Sequence, residues 1–190
     1  MRNFLPIAAL LLAAGLVPAW VPPAAAQSPD TQSANARLGG GQSVKVSAVS
    51  PAEGATYLEI ALPEGAQKLE GLGERFLPIV TGGRTVSIAA ADLSGDSIDE
   101  IVVRGQVTGS SGALVVLRWD AAQKQFLPVD FIDDRDEKKP FLFTDNKSTV
   151  SLAKGGVEVK VTRVDQSGRS AAVLEKYRWD NGTLKYSEDH

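Results

Sequence analysis

Apolar and polar side chains alternate along most of this chain. Val157, Val159 and Val161 fall on one side and Glu158, Lys160 and Thr162 on the other, the period of two that marks a strand with one buried and one wet face. Leu58, Ile60 and Leu62 repeat the pattern beside Tyr57, Glu59 and Ala61. Two further runs, Ile101-Val102-Val103 and residues 113–117, are apolar on both sides, as strands in the middle of a packed sheet are. Breakers divide the runs at short intervals: Gly82-Gly83, Ser94-Gly95-Asp96, residues 108–112, Gly155-Gly156, Ser167-Gly168 and Asn181-Gly182. Short strands with turn signals this close predict an all-β fold of antiparallel meanders. The best helix candidate is residues 67–75, and Gly71 and Gly73 weigh against it.

The chain also resembles itself. Thr85-Val86-Ser87 returns as Thr149-Val150-Ser151 at an offset of 64 residues, and Arg118-Trp119-Asp120 returns as Arg178-Trp179-Asp180 at an offset of 60. These echoes predict units at residues 84–133 and 147–187, with a degenerate one before them at 44–80. Two to three such blade-like meanders cannot close a ring, so the expectation is an incomplete propeller or a small sandwich. Such a chain must cap its edge strands or assemble into a homo-oligomer.

The N-terminal residues read differently. Arg2 precedes an uncharged apolar run over residues 4–17, and Ala24-Ala25-Ala26 precede Gln27, so residues 1–26 are expected to be a cleaved signal peptide. Pro6, Pro18, Pro22 and Pro23 interrupt the segment, which argues against a retained membrane span. Residues 27–43, rich in Ser, Ala, Asn, Gln and Gly, are expected to be a flexible linker into a β domain at residues 44–190. The protein is then periplasmic or secreted. Cleavage removes only Arg2 of the 20 basic residues, leaving 19 against 23 acidic ones and a formal charge of −4. That balance argues against nucleic acid as a partner. With no cysteine, disulfides and thiol chemistry are excluded.

One loop carries candidate chemistry. Residues 92–100 read Asp-Leu-Ser-Gly-Asp-Ser-Ile-Asp-Glu, with oxygen-bearing side chains at the first, third and fifth positions and carboxylates at the eighth and ninth. Alternate inward side chains in a tight turn can supply the oxygens a calcium ion takes. The other reading is a solvated hairpin turn, since Asp, Ser and Gly are turn residues for backbone reasons. At these residues, and in the apolar Ile101-Val102-Val103 that follows, the chain resembles the FG-GAP and VCBS-type repeats of integrin α-subunit propellers and exported bacterial proteins. The resemblance implies one calcium held by the side chains of Asp92, Ser94, Asp96 and Glu100 and the carbonyl of Ile98, with Asp99 facing away to hydrogen-bond the turn. Ser94 stands where that pattern has Asn or Asp, and Ser97 where it has Gly.

The remaining candidates read as structural. The acidic run of Asp130, Asp133, Asp134, Asp136 and Glu137 is followed at once by Lys138 and Lys139, which neutralise it, with a second metal site as the alternative. Trp119 and Trp179 read as core or seam residues, with a carbohydrate platform as the alternative. Arg118 and Arg178 read as cross-strand ion-pair partners, with anion binding as the alternative. The one histidine is the terminal His190, so no acid, base and nucleophile set is recognisable and no enzyme is expected. The functional expectation is a non-enzymatic binding module for another protein or an envelope polymer. The alternative is a small periplasmic inhibitor or chaperone-like protein without metal dependence.

Overall fold

The computed structural model describes residues 30–164 and 167–187. Residues 1–26, read as a signal peptide, and His190 lie outside them. The described residues are all-β, with seventeen strands and no helix among them, hence no helix able to cross a membrane.

Three four-stranded antiparallel meanders form the frame. The first sheet runs β1 (Asp30–Gly39), β2 (Gln42–Ser50), β3 (Tyr57–Leu62), β4 (Gly65–Leu69). A hairpin, β5 (Ile79–Thr81) and β6 (Arg84–Val86), leads into the second sheet of β7 (Ile88–Ala91), β8 (Glu100–Gln106), β9 (Ser111–Asp120) and β10 (Gln125–Pro128). Short pieces β11 (Phe131–Ile132), β12 (Lys138–Lys139) and β13 (Leu142–Asp145), the last paired with β9 as a fifth strand of the second sheet, lead to the third sheet: β14 (Thr149–Ala153), β15 (Gly156–Val164), β16 (Ser170–Asp180) and β17 (Thr183–Ser187).

Their order in space follows from which faces are apolar. One core joins Val44, Val46, Leu58 and Ile60 of the first sheet to Ile101, Val103, Leu117 and Phe126 of the second. A second core joins Val102, Leu114 and Val116, on the opposite face of the second sheet, to Val150, Val157, Val159 and Leu184 of the third. The second sheet is thus the middle layer, which is why every residue of β8 is buried and its sequence lacks alternation. The alternate positions of the outer sheets are polar. The first carries Asn35, Lys45, Ser47, Glu59 and Lys68, and the third Glu158, Lys160, Lys176 and Arg178. Two apolar seams and two charged outer faces stop the stack at three layers without a closed barrel.

Two expectations are corrected. Asp30–Gly39, inside the segment read as a linker, is a ten-residue strand paired along its length with β2. Its Ala36 and Leu38 are buried, so a segment whose composition reads as flexible packs closely against a neighbouring sheet. The unit boundaries also shift. The first sheet ends at Leu69, while β5 and β6 join the third sheet through a parallel pairing of β5 with β14, and β11 joins it through β17. Residues 67–75 form no helix. Beyond β4 the chain crosses the part of β8 that β7 leaves unpaired, and the N–H groups of Glu74 and Leu77 donate to the carbonyls of Gln106 and Arg104 at 3.0 and 2.7 Å. The crossing is so close that a Cβ on Gly105 would lie 1.4 Å from the Leu72 carbonyl oxygen.

Both Arg-Trp-Asp triplets end the third strand of their meander. Trp119 packs on the core between the first and second sheets and Trp179 on the core between the second and third, so each indole faces the preceding layer.

Candidate functional site

The turn between β7 and β8 brings Asp92, Ser94, Asp96 and Glu100 together. Asp92 works as a turn cap: its Oδ1 accepts the N–H of Gly95 at 2.6 Å and its Oδ2 that of Ser97 at 2.9 Å. Asp96 Oδ1 accepts the Ser94 hydroxyl at 2.8 Å and the Ile98 N–H at 3.0 Å. Glu100, fully buried, accepts the N–H of Leu93 at 2.8 Å on Oε2. Ser97 sits at a φ of 70°, the left-handed region where glycine is favoured. Asp92 holding its amide is the local reason the turn tolerates a serine there.

The charge in the turn is balanced from the neighbouring strand. Arg118, opposite the start of β8 on β9, donates through Nη1 to Glu100 Oε1 at 2.5 Å and through Nη2 to Asp96 Oδ2. Its guanidinium also lies 5.0 Å from the centre of the Trp179 ring, so one side chain ties the turn to the third sheet. Burial raises the Glu100 carboxyl above its usual range, against the lowering effect of the Leu93 amide and Arg118. Asp96 moves the other way: burial would raise it, but Ser94, the Ile98 amide and Arg118 together leave it lowered.

Asp99 turns away from this cluster but, instead of hydrogen-bonding the turn, meets a partner the sequence did not suggest. It accepts the Arg37 N–H at 2.9 Å and the Arg37 guanidinium at 2.6 Å, while its own N–H donates to the Arg37 carbonyl at 2.9 Å. Burial opposes ionisation of Asp99, and the Arg37 hydrogen bonds outweigh it, leaving the carboxyl lowered. The turn is therefore fastened to the first sheet by Arg37–Asp99 and to the third by Arg118.

A calcium ion takes about six to eight oxygens at roughly 2.3–2.6 Å. Here both Asp92 oxygens point at backbone amides, and the place where Asp96 and Glu100 converge holds a guanidinium. Arranged so, the donor set does not fit a calcium ion. Among the described residues, no group of three or more Asp, Glu or His side chains is placed to hold a metal ion.

The other candidates fall where charge and packing place them. Arg178 pairs with Glu158 at 3.3 Å diagonally across β16 and β15, the residue directly opposite it being Gly156. In the second acidic run Asp133 accepts the N–H groups of Arg135 and Glu137, and Lys139 lies 2.8 Å from Glu137. Sequence reasoning missed Arg37, hidden in an assumed linker, and the reach of Arg118 to Asp96. Cross-strand pairing, which the Arg-Trp-Asp echo suggested, was the available signal for Arg118.

Compared with known proteins, the chain matches no family model, no curated protein and no solved structure.

Proposed function

We propose that the protein acts outside the cytoplasm, in the periplasm or as a secreted product, as a non-enzymatic module that binds another protein or an envelope polymer. The observation that carries this reading is the use made of the buried charges. Glu100 is held by Arg118 and backbone amides, Asp99 by Arg37, and the fully buried Arg104 by the Thr144 hydroxyl and the carbonyls of Asp145 and Ser148. Groups consumed in this way brace a scaffold and are not poised for acid or base catalysis. The likeness of residues 92–100 to turns in exported FG-GAP and VCBS-type repeat proteins supports the same reading.

The test is retention of the mature protein on insoluble envelope polymer and on envelope protein extract, with a product assay on the same material. Saturable retention without turnover supports the module, whereas released product sinks it. The closure of the turn by Arg118 favours a second reading, a small periplasmic inhibitor or chaperone-like protein whose binding ignores metal. Chelator-independent capture of an envelope enzyme together with loss of that enzyme's activity would select it.

A further inference from the structure

At one end of the seam between the first and second sheets, the β3–β4 turn and the β9–β10 turn stand on either side of a groove of about 270 Å³. Its floor is Leu38, Leu62 and Trp119, and its rim is Gln42, Glu64 and Lys124. The indole is held from beneath. Phe126 lies 5.5 Å from it, ring centre to ring centre, tilted by 59°. Phe126 is fixed in turn by Gln67, whose side-chain amide accepts its N–H and donates to its carbonyl, each at 2.8 Å. The plate is thus set before any ligand arrives. Above it the Lys124 ammonium pairs with the Glu64 carboxylate across the mouth, both side chains more than half exposed, at 60% and 69%.

An apolar aromatic floor under a rim of donors and acceptors fits a molecule with one C–H face and a belt of hydroxyls. The paired Glu64 and Lys124 leave the rim with both hydrogen-bonding senses and no net charge, so a charged ligand gains nothing a neutral one lacks. The volume lies just below the roughly 300–1,000 Å³ of small-molecule sites, room for one ring. Resting on the binding-module reading, we propose that this groove receives one pyranose ring of a neutral glycan, stacked on Trp119 with its hydroxyls on Gln42, Glu64 and Lys124.

The test titrates the mature protein with chitotetraose, cellotetraose and maltotetraose while following the two indole N–H signals, Trp119 and Trp179, by NMR. It is repeated on a Gln42→Ala, Glu64→Ala double variant, whose exposed sites leave the fold intact. One of these saccharides should shift Trp119 and not Trp179, and the double variant should bind it about tenfold more weakly or worse. If none of the three shifts Trp119, or the variant binds as tightly as the wild type, the proposal is overturned. Retention separates the two levels: equal retention of wild type and variant on insoluble envelope polymer overturns the groove and leaves the module standing, and no retention of either on that polymer or on envelope protein extract, together with silent titrations, overturns both.

Discussion

Arg118 and Glu100 face each other across β9 and β8, guanidinium to carboxylate at 2.5 Å, with the carboxylate fully buried and the arginine side chain 29% exposed. The same guanidinium reaches Asp96 in the turn above, so a single cation serves two of the carboxylates that a metal site would use. Removing it with Arg118→Met strands a buried charge. Glu100 keeps its amide partners, so the loss should lie near the low end of the range for broken buried pairs, about 3 kcal/mol. Adding Glu100→Gln to that variant should recover roughly half of the loss, because the stranded charge goes with it. Urea unfolding of the two variants and the wild type checks this.

Asp99 and Glu100 are neighbours that titrate in opposite directions. The Asp99 carboxyl should titrate below 3.8 because Arg37 outweighs its burial, and that of Glu100 above 4.5 because burial dominates. For Asp99 the folded value lies below the unfolded one, so its stabilisation is complete above pH 3.8 and lost as pH falls through the folded value. For Glu100 the order is reversed, and its ionisation works against folding as pH rises between its unfolded and folded values. Carboxyl ¹³C titration reads both, and Asp99→Asn should flatten the acid limb of the stability curve below pH 3.8.

Gly105 and Gly109 lie close together and should respond oppositely to alanine. A Cβ at Gly105 meets the backbone of Leu72, which cannot swing aside, so Gly105→Ala should cost more than about 4 kcal/mol. At Gly109 nothing lies within 4 Å, and Gly109→Ala should change stability by no more than about 0.5 kcal/mol. Thermal melts of the two variants give the comparison.

The first strand makes a sharper prediction. Deleting residues 27–39 removes Ala36 and Leu38 from the first core and Arg37 from Asp99, and leaves β2 as a bare edge. The truncated protein should aggregate or lose its cooperative melt, as read by light scattering and calorimetry. A soluble truncation with the wild-type melt would restore the linker reading.

These elements show where the sequence was informative. The burial of Ile101-Val102-Val103 and residues 113–117 on both faces was legible because they lack alternation, whereas the place of their sheet as the middle of three layers was not. The turn at residues 92–100 was legible as a cluster because its oxygens are close in sequence. What closes it was not, since Arg118 arrives from another strand and Arg37 from a segment whose composition reads as loose. Arg104 was hidden for the same reason. An arginine amid apolar residues is accepted there only because a turn some forty residues later presents Thr144, Asp145 and Ser148 to its three-pronged donor.

Calorimetry of the mature wild-type protein in chelating buffer and in millimolar calcium decides whether a guanidinium or a metal closes the turn. The arginine-closed turn predicts one melting temperature in both. A rise of several degrees in calcium would mean that Arg118 gives way to the ion and that the turn is a metal site.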